Sequence, residues 1–80
     1  MTILDFLESG IDLSWNHQIA LTYEKFPHRH IIVEIPEYLN GFPEDIKIMC
    51  EKKFAPYLNC TLETMTVEDF DGMTLCLSIF

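Results

Sequence analysis

The stretch VEDFDG, residues 67–72, gathers Glu68, Asp69 and Asp71 around Phe70 and ends on Gly72. Carboxylates at that density raise the chemistry of a hard cation. A calcium loop of the EF-hand kind spaces its acids at alternate positions over about twelve residues, closes on a bidentate Glu and lies between helices. This spacing fails that pattern and the flanks alternate as strands do, so a solvated turn without metal is expected. His28, Arg29 and His30 offer two imidazoles and a guanidinium. Two imidazoles supply half of a tetrahedral zinc set, and only His17, from a paired strand, would be in reach of them. The triplet reads as a loop Arg with partly exposed histidines. Cys50, Cys60 and Cys76 would need a base beside them to act as nucleophiles, yet each falls in a helix stripe or strand pattern. Glu44 and Asp45 follow Pro43 and suit the positive start of a helix. With no glycine-rich phosphate loop either, the expectation is a non-enzyme with no cofactor.

Charge narrows the partners. Thirteen acids stand against five Lys and Arg, for a net charge of −8. Nucleic acid and the anionic membrane face both call for clustered cations, so direct contact with either is not expected. What remains is a protein partner with a basic surface, or acidity that serves solubility alone. MTILDFLESG lacks the basic start and long apolar run of a secretory signal, and no apolar run reaches the roughly 18 residues of a membrane span. An odd number of cysteines without C-x-x-C spacing fits free thiols in the cytoplasm. The acceptor triplet Asn59-Cys60-Thr61 carries no weight there.

These side chains must be positioned by a single small domain, residues 1–80. A chain of that length hides only about 60–65% of its unfolded surface, so its core must be efficient. Thr2 and Asp5 have the spacing of a capping box, with Ile3, Phe6 and Leu7 on one face and Gly10 as a stop. From Ile11 to Glu24 apolar and polar residues alternate, the mark of a strand. A straight strand of that length would reach roughly 45 Å, so a bend near Asn16-His17 is expected, with 18–24 the firm part. HIIVEI follows as its hairpin partner. Facing sets Tyr23 opposite Ile31, Leu21 opposite Val33, Ile19 opposite Ile35 and Glu24 opposite His30, with a loop from Lys25 to Arg29. Pro43 opens a second helix whose stripe is Ile46, Met49, Cys50, Phe54 and the stem of Lys53, stopped by Pro56. Trp15, Phe26, Phe42 and Phe80 are the remaining candidates for function: Trp15 is expected in the core, and Phe26, in a loop tip beside Pro27, either anchors a partner or tucks under its loop.

Register decides the acidic turn. A two-residue loop would set Glu68 against Leu75 and mix polar with apolar residues on one face. A loop of Phe70, Asp71 and Gly72 instead opposes Val67 to Leu75, Met65 to Leu77, Thr66 to Cys76 and Thr64 to Ser78. Such loops want Gly in the left-handed position at their end, so Gly72 is there for geometry. The expected fold is α+β: a four-stranded antiparallel sheet from two β-hairpins with two helices on one face, in the order α-β-β-α-β-β. The uncovered face then shows Thr22, Glu24, Glu34, Thr64, Thr66, Glu68, Thr74 and Ser78.

In size, charge and lack of catalytic residues the chain resembles small acidic inhibitors of nucleic-acid enzymes: phage or mobile-element anti-CRISPR and anti-restriction proteins, and bacterial immunity proteins. The resemblance implies an inhibitor that occupies a basic surface of a partner through Glu68, Asp69, Phe70, Asp71, Glu24 and Glu34. The alternative is a structural or assembly module that forms a homodimer through its sheet, with Ile32 on the outer face.

Overall fold

The computed structural model describes residues 1–25, 30–69 and 71–80. Helix α1 (Ile3–Leu7) is fixed by its capping box. The Asp5 N–H donates to the Thr2 hydroxyl at 3.1 Å, and the Thr2 N–H donates to the Asp5 carboxylate at 3.0 Å. Its apolar side, Ile3, Phe6 and Leu7, is buried. Gly10 follows at φ +83°, where a side chain would be strained.

Residues 11–17 do not extend the strand. Asp12 Oδ1 accepts from the Ser14 N–H at 2.9 Å and from its hydroxyl at 2.6 Å. The Asn16 N–H bonds to the Leu13 carbonyl at 3.2 Å. Short polar side chains thus give the backbone local partners in place of a ladder. The chain bends where expected, and strand β1 (Gln18–Tyr23) begins just after it. Strand β2 (His30–Glu34) pairs with it, but two residues away from the expected register: Ile19 faces Val33, Leu21 faces Ile31 and Thr22 faces His30. A slip of two keeps every side chain on its own face, so facing alone does not exclude it. Glu24 therefore lies beyond the ladder with β2, its N–H bonded to the Ile79 carbonyl at 2.8 Å.

After a 3-10 turn (Glu37–Leu39), Pro43 begins helix α2 (Pro43–Lys53). Ile46, Cys50 and the capping Phe54 are buried and Met49 is half-buried, whereas Lys53 is exposed and borders a depression with Met49 and Val33. A second 3-10 turn (Ala55–Tyr57) holds Pro56. Strands β3 (Leu62–Asp69) and β4 (Met73–Ile79) pair in the expected register, Val67 with Leu75 and Met65 with Leu77. A bulge between Leu62 and Thr64 reverses the alternation, which lets Leu62 pack against the core beside Ile79.

The sheet is mixed, in the order β2-β1-β4-β3, and this corrects the purely antiparallel expectation: β1 and β4 run parallel. Burial supplies the reason. A simple meander would leave β4, with Leu75, Leu77 and Ile79, on an edge. The observed order puts β1 and β4 at the centre and sends β3, rich in Glu and Thr, to the outside. The connection through α2 then runs from one edge to the other, so β2 and β3 are parallel to each other and the two central strands must be parallel too. Ile19, Leu21, Val33, Leu75, Leu77 and Ile79 form one face, packed with the buried residues of α1 and α2 in one cluster. Fully burying a large side chain of this kind contributes on the order of 1.5–3 kcal/mol before entropy is subtracted. Among the described residues no helix is long and apolar enough to cross a membrane.

Candidate functional site: the open sheet face

The pairings align residues in rows across the four strands. One row is Glu34, Gln18, Thr74, Glu68; the next is Ile32, Ala20, Cys76, Thr66; the third is His30, Thr22, Ser78, Thr64. These rows are the face that neither helix covers. It forms a trough of about 540 Å³, with Asp71 from the turn on its wall. The small floor residues Ala20 and Thr74 are buried, although no element lies over them, because longer neighbours rise around them. Gln18 Nε2 donates to Thr74 Oγ1 at 2.8 Å and ties the two central strands at this end.

Glu34 and Glu68 stand at the two edges of one row, roughly 14 Å apart at three inter-strand spacings. Asp71 adds a third carboxylate on the same side. The six residues expected at a partner surface are thus divided. Glu68 and Asp71 line the trough, whereas Glu34, at the end of the same row, lines a separate depression with Met49 and Lys53 of α2. Asp69, one residue from Glu68, falls on the opposite face, and its Oδ1 accepts from the Gly72 N–H at 3.2 Å, so it also closes the turn. Glu24 is exposed past the far end of β1. Phe70 lies outside the described residues, as do Phe26, Pro27, His28 and Arg29.

Charge is segregated between the layers. None of the four strands contains Lys or Arg. Lys47, Lys52 and Lys53 all lie on α2, where Lys47 pairs with Glu44 at 3.0 Å and is held above its ordinary value by that bond. Lys25 sits with Nζ 5.2 Å from the ring centroid of the exposed Phe80.

Cys50 and Cys76 are held protonated. Burial pushes Cys50 up to about 12, with Glu51 adding to it. Cys76, in the trough floor, is raised by burial first and then by the Glu68 carboxylate. A thiol held protonated is a poor nucleophile. His17 is occupied in the fold: its ring Nδ1 accepts from the Met73 N–H at 3.0 Å while its backbone N–H donates to the Met73 carbonyl at 2.8 Å. Among the described residues no three His, Cys, Asp or Glu side chains converge as a metal site.

Two surface features escaped the sequence reading. Trp15 is 52% exposed and not in the core, because the turn over this segment buries Leu13 and Asn16 instead. It lines a cleft with Asn16, Pro36, Glu37 and Asn40. Strand β3 is exposed on both faces, with Met65 and Val67 about half accessible. The density of Thr and Glu in LETMTVED was the available signal for an edge. Compared with known proteins, the chain matches no family, no curated sequence and no solved structure.

Proposed function

We propose that this chain is a small, acidic, cytoplasmic, non-enzymatic binding protein that inhibits a partner by occupying a basic, nucleic-acid-handling surface, in the manner of anti-CRISPR, anti-restriction or immunity proteins. The observation that supports this reading is the sign of the open face: four strands without a single Lys or Arg carry Glu34 and Glu68 on it, Glu68 and Asp71 line its trough, and Lys47, Lys52 and Lys53 are confined to α2. A surface of one sign steers a partner of the opposite sign and fixes its orientation. The hydroxyls of Thr22, Thr66 and Ser78 supply further acceptors for cationic side chains on that face.

The test is capture of a basic partner by the native chain and by the triple variant Glu34→Lys, Glu68→Lys, Asp71→Lys, followed by an assay of the partner's action on nucleic acid. The expected outcome is inhibition by the native chain alone, weakened as salt rises from about 0.05 to about 0.5 M. Equal capture and inhibition by the triple variant would remove the reading. One observation favours a second reading, self-association through the sheet: Ile32 is 45% exposed in the trough. Light scattering decides it, since a homodimer held there should fall to monomer on Ile32→Glu.

A further inference from the structure

The two edges of the sheet are not equivalent. Strand β2 is short, is followed by Pro36, and has Met49 and Lys53 of α2 beside it around a shared depression with Val33 and Glu34. Those are the usual protections of an edge. Strand β3 is the longest strand, has no Lys or Pro, and carries its one bulge at its start. On the side away from β4 its first residues are already paired. Thr2 bridges Thr61 in antiparallel fashion, the Leu62 N–H donates to the Met1 carbonyl at 2.8 Å, and the Ile3 N–H donates to the Cys60 carbonyl at 3.0 Å. That pairing stops there, and among the described residues nothing continues it along Glu63 to Asp69.

We propose that residues 63–69 of β3 accept an extended basic segment of the partner protein by strand addition, antiparallel, continuing the line that Met1 to Ile3 begins. The proposal rests on the acidic-binder reading above and supplies its mode of contact. Alternation specifies the segment. On the helix side β3 presents Met65, Val67 and Asp69; on the trough side it presents Thr64, Thr66 and Glu68, and Glu63 sits in the bulge. Opposite charges and paired apolar side chains stabilise cross-strand neighbours. The added strand therefore wants Lys or Arg opposite Glu63, Glu68 and Asp69, and Val or Ile opposite Met65 and Val67. Main-chain bonds to the free edge supply affinity and this alternation supplies selectivity. A second copy of the chain fits worse: antiparallel self-pairing centred on Thr66 opposes Glu63 to Asp69 at both ends, and like charges facing each other repel.

The test uses the full chain and two peptides of equal composition. Lys-Lys-Val-Thr-Ile-Thr-Lys matches the pattern read from Asp69 back to Glu63, and Lys-Val-Thr-Lys-Thr-Ile-Lys moves the apolar residues to the wrong face. The expected results are that the first binds about tenfold more tightly than the second, and that it slows amide exchange along 63–69. Met65→Lys with Val67→Lys, both at half-exposed positions, should weaken the first peptide by about tenfold and leave the fold intact. Glu34→Lys, on the far edge, should weaken both peptides alike. If both peptides bind equally, fade with salt and leave 63–69 unprotected, strand addition is overturned while the acidic-binder reading stands. No binding of either peptide at low salt overturns both. A dimer by light scattering with 63–69 already protected assigns the edge to a second copy and also overturns the proposal.

Discussion

Gly72 can be tested more sharply than any other position. It sits at φ +115°, and a Cβ added there would lie 2.8 Å from both Cγ and Nδ1 of His17. Ordinary carbon contacts begin near 3.4–4.0 Å, so the imidazole would have to move by roughly half an ångström or more. That ring holds the Met73 N–H at 3.0 Å and marks the point where β1 meets β4. Gly72→Ala therefore has two costs. A sparsely populated backbone conformation costs about 1–3 kcal/mol. Losing the bond to His17 adds about 0.5–1.5 kcal/mol. The sum, about 1.5–4.5 kcal/mol, is a large share of the 5–15 kcal/mol typical of a domain and corresponds to a fall in Tm on the order of 6–36 °C. Urea and thermal unfolding followed by circular dichroism measure it. The double variant His17→Ala, Gly72→Ala separates the parts: the steric share should return as a coupling of about 1 kcal/mol, while the backbone share persists. A Gly72→Ala chain within about 0.5 kcal/mol of the native one, or a strictly additive double variant, would refute the account.

Three other outcomes are expected. Phe54 is fully buried at the end of α2, and Phe54→Ala should cost about 3–5 kcal/mol by urea unfolding. Cys50, with its thiol pushed up to about 12 by burial, should resist alkylation in the folded chain at pH 8 and react once urea is added; equal rates in both states would contradict its placement. Asp5 is held below its ordinary value of 3.8 by the Thr2 N–H first and its hydroxyl second, and Asp12 by the Ser14 hydroxyl and then its N–H. Depressed carboxylates stabilise the folded state above their ordinary value, and that contribution fades as pH falls through the folded values. The urea midpoint should fall between pH 5 and pH 2, with a shallower slope in Asp5→Asn; an identical slope would count against the capping box.

The capping box, the proline start of α2 and the register of the second hairpin were legible because each depends on residues only a few positions apart. The candidate site was legible only in part. Alternation correctly placed Glu34 and Glu68 on the open face, and it also separates Asp69 from Glu68, although the three neighbouring acids read along the chain as one knob. Trp15 lies outside the core because its segment, although alternating in composition, is not a strand. The Asp12 and Ser14 side chains had already given that segment a local turn.

By itself, the sequence determined which face most strand residues take, Leu62 before the β3 bulge excepted, where the second hairpin turns, and that the strands contain no cations. Only the tertiary structure decided that β1 and β4 lie side by side in parallel, that the first hairpin pairs two residues from its expected register, and that β3 is left as an open edge. Period-two patterning fixes faces but says nothing of which strand lies next to which, and a slip of two residues leaves it unchanged. Neighbours were chosen by burial instead: Leu75, Leu77 and Ile79 gain more at the centre of the sheet than LETMTVED would, and that sum spans the whole chain.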